Sequence, residues 1–351
     1  MAEAAFEETS RAVPDVVLRS ATEADVPQMI ELARIALGPG SVPRTESFWR
    51  WKHQKNPFGS SPAMVAEADG QIVSLRVFLR WRWRCVERAF SAVRPVDTAT
   101  HPDWRRRGLF ERLTRGLLAV MKAEGVAFVF NTPNANSGRG YEKLGWRIVG
   151  RPTIWVRPLR PGRLLTELVR REEPREPEEA PRPFEPASAA ILASPDLAAF
   201  LRRTKRSTFR LMTDADAAYL AWRYRDCPGL AYGAAGTFDR TSGALVVFRR
   251  TTRQGLGELR FCDLFVAGDM PSRSKMRELI QDLLSEHDVD LATARAVPGT
   301  TQAAILLRCG FLPVQRIGPA LAVRSLAESA DVPAIDRLST WGTSIGDLEV
   351  F

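Results

Sequence analysis

The run His101-Pro102-Asp103-Trp104-Arg105-Arg106-Arg107-Gly108-Leu109-Phe110 has the residue types and the order of an anion site. It follows an apolar strand region, Phe90 to Thr100, and opens an amphipathic helix, Leu109 to Ala123. At such a junction the unpaired N–H groups of the first helical turn converge, and the helix dipole favours negative charge. Three consecutive arginines add cations suited to phosphate. Taken alone, the run also reads as a solvated basic turn. A second run, Asn134-Ala135-Asn136-Ser137-Gly138-Arg139-Gly140-Tyr141-Glu142-Lys143-Leu144-Gly145-Trp146, leaves the strand Val126 to Phe130 and forms a helix, Ser137 to Leu144, which Gly145 ends. Tyr141 stands on that helix. A tyrosine hydroxyl can donate a proton to a leaving group, although a lone tyrosine more commonly packs.

The elements that must position these residues can be read from the pattern. Val16 to Arg19 is a short strand, and Thr22 with Asp25 resembles a capping box ahead of the helix Val26 to Leu37. A second helix fits Thr45 to Gln54. Strands Met64 to Glu67 and Ile72 to Leu79 flank the turn Asp69-Gly70. With Trp146 to Val156 as further strand, the order βααβββαβαβ predicts a mixed α/β layer around a central sheet. Residues 158–187 hold seven of the 24 prolines with mixed charge and read as a linker, with a short helix from Leu164 to Arg171.

An internal repeat follows. Phe48-Trp49-Arg50-Trp51-Lys52 aligns with Tyr219-Leu220-Ala221-Trp222-Arg223 at an offset of 171, and Glu124–Trp146 aligns with a later segment ending in Gly310-Phe311 at an offset of 165. The chain is expected to be one α/β fold written twice: a tail over 1–15, a first domain over 16–157, the linker, a second domain over 188–325, and a tail over 326–351 that docks on a domain. Trp81 and Trp83 alternate with Arg80, Arg82 and Arg84, so one strand face is aromatic and the other basic. Basic plus aromatic suits nucleic acid or a sugar nucleotide, and equally a sheet edge packed on the partner domain, which is the expectation here. Trp51 has a tryptophan repeat mate, which points to core. Trp49 has none and is the better candidate for a substrate contact, with Lys52 beside it.

The two runs together resemble the GCN5-related N-acetyltransferase family. Its pattern is a strand, Arg/Gln-x-x-Gly-x-Gly/Ala, then a helix, and later Asn-x-x-Ala-x-x-x-Tyr-x-Lys-x-Gly-Phe. Here the first is Arg105-x-x-Gly108-x-Phe110, where Phe110 replaces a small residue. The second is Asn134-x-x-Ser137-x-x-x-Tyr141-x-Lys143-x-Gly145-Trp146. The resemblance implies acetyl-CoA as donor. It implies two tandem domains of this family, each with a mixed, mostly antiparallel sheet flanked by helices. Backbone amides of Arg106, Arg107, Gly108, Leu109 and Phe110, with Arg105, would hold the pyrophosphate. Val96, Thr98 and Ala99 would face the pantetheine arm and the acetyl carbonyl. Asn134 and Ser137 would contact the cofactor, and Tyr141 would protonate the departing thiolate. A base for the acceptor amine would be Asp97, Glu67 or His101. The second half lacks both motifs: Leu306 stands where Tyr141 does, so it is expected to be a degenerate copy that shapes the acceptor cleft.

Composition narrows the function classes. The 351 residues carry 50 basic and 41 acidic side chains, a net charge of +9, with only six lysines. Three arginines fall in one turn and the rest are scattered, which favours a phosphorylated cofactor over nucleic acid. No stretch approaches a membrane span, and the N-terminus lacks the apolar core of a secretory signal. Four separated cysteines and three histidines form no metal set, so no metal is expected and a reducing cytoplasm is. The leading expectation is transfer of an acetyl group to a primary amine of a small molecule, an amino sugar or a natural-product intermediate. A Fem-type aminoacyl-tRNA-dependent transferase and a non-catalytic acyl-CoA-binding protein are the alternatives. Monomer and homodimer are both open.

Overall fold

Long runs of alternating and buried apolar residues build the frame. The computed structural model describes residues 15–38, 43–133, 137–170, 186–204, 209–253, 255–315, 317–327 and 332–349. The first half contains strands β1 (Val17–Ser20), β2 (Ala63–Ala68), β3 (Gln71–Cys85), β4 (Arg88–Thr100), β5 (Phe128–Asn131) and β6 (Arg147–Gly150). Helices α1 (Val26–Leu37), α2 (Glu46–His53), α3 (Leu109–Ala123) and α4 (Gly138–Lys143) lie between them. The connecting region holds β7 (Ile154–Pro158), α5 (Pro161–Arg170), α6 (Pro186–Leu192) and α7 (Leu197–Thr204). The second half continues with β8 (Met212–Thr213), α8 (Ala217–Leu220), β9 (Gly233–Phe238), β10 (Gly243–Arg253), β11 (Leu256–Val266) and α9 (Met270–Glu286). It ends with β12 (Leu291–Arg295), α10 (Thr301–Arg308), β13 (Leu312–Val314), β14 (Leu321–Ser325) and α11 (Ile345–Leu348).

Two sheets result, each mixed and mostly antiparallel. The first runs β1-β2-β3-β4-β5-β14-β6, with β8 on the end of β3; the second runs β13-β7-β12-β11-β10-β9. The two halves therefore exchange a strand. The region expected as one strand from Trp146 to Val156 splits: β6 stays in the first sheet, whereas β7 pairs with β12 and β13 in the second. In return β14 lies between β5 and β6. Both strands bury apolar side chains where they land, Trp155 in one core and Leu321 and Val323 in the other. Neither half is closed without the other. The start of the expected linker is docked as well: Arg163 on α5 pairs with Asp290 at 3.2 Å, and Arg160 pairs with Asp288. Residues 1–14 of the expected tail and 171–185 of the linker lie outside the described residues.

The repeat is visible as near-symmetry. Trp51 and Trp222 stack at 5.3 Å between centroids, and each indole N–H donates to the other's carbonyl, at 2.6 and 2.8 Å. Repeat mates that bond reciprocally lie on the axis relating the two copies. Around them Trp81 packs on Tyr219 and Phe130, Trp83 packs on Trp341, and Arg82 and Arg84 both pair with Asp214 of the second half. The aromatic face of β3 is thus an interdomain core, and Arg82 and Arg84 of its basic face bind the partner half, whereas Arg80 pairs with Glu124 of the first.

The C-terminal segment threads this interface. Ser344 and Asp347 form a capping box for α11. Asp347 accepts from Thr213 Oγ1 at 2.5 Å, and the nearby Asp263 accepts from the Tyr224 hydroxyl. Burial, and then the charge of Asp347, push the Asp263 carboxyl up to about 7. The unfolded chain ionises that group near pH 3.9. The stability that protonated Asp263 provides is complete below that pH and is lost as the pH rises through about 7. The urea midpoint is therefore expected to be lower at pH 8 than at pH 5, with an upper bound of about 4 kcal/mol on this contribution. Asp263→Asn, which keeps an acceptor for Tyr224, should flatten the difference. An unchanged pH dependence in that variant would contradict the assignment.

Candidate active site

β4 and β5 touch only where Ala92 meets Phe128 and Val93 meets Val129, and beyond that they diverge. The gap opens into a cavity of about 690 Å³. Three features shape it. First, β4 carries a bulge: Leu75 faces Ala99 and Val77 faces Val96, so Asp97 and Thr98 share the single residue Arg76 opposite. Asp97 takes φ of +44°, a left-handed conformation that aspartate tolerates better than most residues. Second, α4 brings Ser137, Gly140 and Tyr141 to the wall. Third, α1 and α2 bring Ile30, Ala33, Phe48, Trp49, Lys52 and His53.

A buried polar cluster sits on the bulge. Lys52 Nζ lies 2.6 Å from Asp97 Oδ2, and His53 Nε2 lies 2.8 Å from the same oxygen. His53 Nδ1 is 3.0 Å from Ser61 Oγ. Burial pushes both Lys52 and His53 down from their ordinary values. For Asp97 burial acts in the upward direction, but the Lys52 charge and the His53 hydrogen bond outweigh it and hold the carboxyl below the usual range. The Asp97 side chain keeps 21% exposure, while those of Lys52 and His53 keep 2% and 4%. Asp97 is thus an anion facing the cavity, with its charge balanced from behind. The Trp49 and His53 rings meet at 4.3 Å between centroids, with their planes tilted by 53°.

The basic loop adjoins the same cavity. Arg105 lines it and donates to the Ala36 carbonyl at 3.1 Å. Arg106 and Gly108 both adopt left-handed φ, +63° and +72°, which turns the chain sharply into α3. No heavy atom beyond the neighbouring residues lies within 4 Å of where a Gly108 Cβ would stand, so the loop is open to a ligand. Arg107 is exposed and covers the Trp104 ring at 4.4 Å. Phe110, the departure from the family pattern, turns into the wall. Its ring meets Tyr141 edge-on at 5.6 Å, and a Cβ on Gly140 would come within 3.0 Å of it. Gly140 therefore makes room for Phe110. Leu109 is buried, so only its backbone is available to a ligand.

The structure gathers Val96, Asp97, Thr98, Arg105, Phe110, Ser137, Tyr141, Trp49 and Lys52 at the cavity. It separates others. Glu67 on β2 is engaged by Arg19 at 2.6 Å and does not line the cavity. His101 caps the loop, accepting from the Asp103 N–H at 3.4 Å, and likewise lies off the wall. Ala99 is buried opposite Leu75. Asn134 lies outside the described residues.

Three residues at the site are not evident from motif reading. His53 is one of only three histidines and follows Trp49 by one helical turn, a spacing that could have flagged it. Asn131 is buried, lines the cavity, and its Oδ1 has no hydrogen-bond partner. Arg94 is buried and donates to the carbonyls of Asp347 and Leu348 at 2.5 and 3.0 Å and to Thr132 Oγ1 at 3.0 Å. Burial, and then the nearby Arg223, lower its pKa to about 10. No sequence pattern announces a contact spanning some 250 residues.

A bulged and splayed β4/β5 pair, a basic loop at a helix start and a tyrosine helix on one cavity define an acyltransferase of the GCN5-related type. Residues 17–149 match the family model of the acetyltransferase (GNAT) domain. Solved structures share the fold across both halves. A conserved protein of unknown function from Enterococcus faecalis aligns with a TM-score of 0.63 at 10% identity, covering 89% of this chain and 73% of the other. A GCN5-related N-acetyltransferase from Anabaena variabilis gives 0.61 at 12% identity over 89% and 73%. One from Kribbella flavida gives 0.54 at 14% over 89% and 71%. No curated protein sequence matches the chain. Among the described residues no helix is long and apolar enough to cross a membrane.

Proposed function

We propose that the protein transfers an acetyl group from acetyl-CoA to a primary amine of a small molecule, by direct attack in the first domain. The observation that carries this reading is that Arg105, Asp97 and Tyr141 open onto a single cavity. The residues fit the donor. Gly108 leaves the loop backbone clear for a pyrophosphate. The unpartnered Asn131 Oδ1 offers an acceptor for an amide N–H. Acetyl-CoA, when bound, supplies the acyl group and a thiolate leaving group. The divergence of β4 from β5 leaves β4 backbone groups free to polarise an acyl carbonyl. Tyr141 holds a proton at its hydroxyl for the departing sulfur.

Asp97 orients the attacking nitrogen by accepting its N–H. Because Lys52 and His53 hold that carboxylate far below the amine range, it positions a neutral amine rather than deprotonating an ammonium, and the proton that the nitrogen sheds as the C–N bond forms and the C–S bond breaks leaves through water. Apolar side chains from α1 and α2, with Trp49, enclose the acceptor. A concave, largely apolar cavity of this volume suits a small molecule. The second half, with Leu306 in place of Tyr141, is the non-catalytic copy; contrary to expectation none of its described residues lines the cavity, and it meets the site only from behind, through Arg94.

Acetyl-CoA is expected to raise the melting temperature of the full chain in a concentration-dependent way. Gly108→Asp, which puts a charge and a side chain on a left-handed residue facing the phosphates, should abolish that rise. No shift at millimolar acetyl-CoA in the unaltered protein would overturn the proposal. A panel of amines scored by release of free thiol then identifies the acceptor.

A further inference from the structure

We propose that the second domain holds a separate binding site for a small oxyanion, a phosphate or carboxylate group, built around Arg295. The second sheet repeats the geometry of the first. β11 and β12 pair only from Glu258–Arg260 against Leu291–Thr293 and then diverge, and β11 bulges where Val247 faces Asp263 and Phe248 faces Phe261. The splay opens a pocket of about 80 Å³, room for a group of phosphate size rather than a cofactor arm.

The lining is cationic and donor-rich. Arg295, at the end of β12, is 7% exposed, and its Nε and Nη1 are shut off from solvent without a hydrogen-bond partner. The Thr343 hydroxyl, 3% exposed, is likewise unpartnered, and both residues line the pocket. Arg210 lines it too. The pocket also meets the start of α10 (Thr301–Arg308). Thr300 caps the Ala303 N–H there, and the remaining N–H groups of the first turn have no partner within the helix. Asp263 is the one carboxylate on the lining; it is bonded to Tyr224 and keeps its proton up to about pH 7. A buried guanidinium with two unpartnered nitrogens is costly, and a bound oxyanion would satisfy Nε or Nη1, which lie on different edges of the group.

The site is independent of the donor loop, since it is formed by β11, β12, α10 and the segment Gly342–Ser344. Anion binding there would also tie down that segment, whose continuation reaches Arg94 at the active cavity.

The test uses the full chain and thermal unfolding at pH 6, below the pH at which Asp263 ionises, with inorganic phosphate titrated against chloride at constant ionic strength. Phosphate should raise the melting temperature in a concentration-dependent way, by roughly 4 °C at about 100 times its Kd. Arg295→Met should lose this shift, whereas Gly108→Asp, altered only in the donor loop, should retain it. In chloride alone Arg295→Met should melt no lower than the unaltered protein, because removing an unpaired buried charge removes a penalty. Thr343→Val, a milder change, should weaken phosphate several-fold. An acetate arm distinguishes the source: tighter saturation by acetate assigns the site to carboxylates, tighter saturation by phosphate to phosphoryl groups. The proposal is overturned if neither anion shifts the unaltered protein. It is also overturned if the shift survives Arg295→Met and disappears in Gly108→Asp, or if Arg295→Met melts lower in chloride with its phosphate response intact.

Discussion

Tyr141→Phe is expected to lower kcat by about 10²–10⁴-fold while leaving acetyl-CoA affinity within about twofold, the signature of a lost proton donor rather than a lost contact. The packing permits so clean a separation. The ring is 5% exposed and held by Phe110 at 5.6 Å, by Trp146 at 5.2 Å and by the Arg76 guanidinium at 5.1 Å. Phenylalanine fills the same space and keeps all three contacts, so only the hydroxyl disappears. The measurement is steady-state thiol release at saturating amine, beside calorimetric titration of acetyl-CoA. An unchanged kcat would remove Tyr141 from the chemistry. A kcat and an affinity that fall together would make it a structural residue.

Asp97→Ala is expected to cost about 3–5 kcal/mol of stability and most of the activity. The change strips two buried groups, Lys52 and His53, of the carboxylate that balances them. Removing one partner of a buried pair is far more damaging than replacing the whole set, because the remaining charge stays out of water. Alanine also tolerates the left-handed bulge less well than aspartate. Asp97→Asn separates the effects: it keeps the shape and an acceptor and gives up the charge, so it should recover part of the stability and little of the activity. Urea unfolding reads the first effect and thiol release the second. A loss below about 1 kcal/mol for Asp97→Ala would mean that Lys52 and His53 are balanced by other groups.

The motifs around Gly108 and Tyr141 were legible because each depends on local chain direction. A strand, a left-handed turn and a helix start follow one another within a few residues, so spacing alone predicts an anion site. The bulge at Asp97 was only half legible. Its aspartate is a sensible residue for that position, but nothing in the spacing distinguishes Asp97 from Glu67 or His101 as the polar group facing the cavity. The answer lies in α2, which comes from a distant part of the chain and places Lys52 and His53 on Asp97 Oδ2. Glu67 was taken out of the cavity by Arg19, through a strand pairing that no motif records.

The repeat, too, was legible as periodicity but not as topology. Matching Trp51 with Trp222 correctly placed both in a core, and the structure stacks them on each other. The same alignment suggested two self-contained halves. It could not show that β7 and β14 cross into each other's sheets, because a strand's apolar pattern is equally satisfied by either sheet.

The sequence by itself pointed to the acetyltransferase fold of residues 17–149 and to a basic turn at the start of a helix, both of which rest on short-range spacing and on side chains that read the same in any context. Only the tertiary structure decided which carboxylate faces the cavity, which strands close each sheet, and where the C-terminal segment meets Arg94. Those outcomes depend on burial and charge balance between residues far apart in the chain, and such energies exist only once the chain has folded.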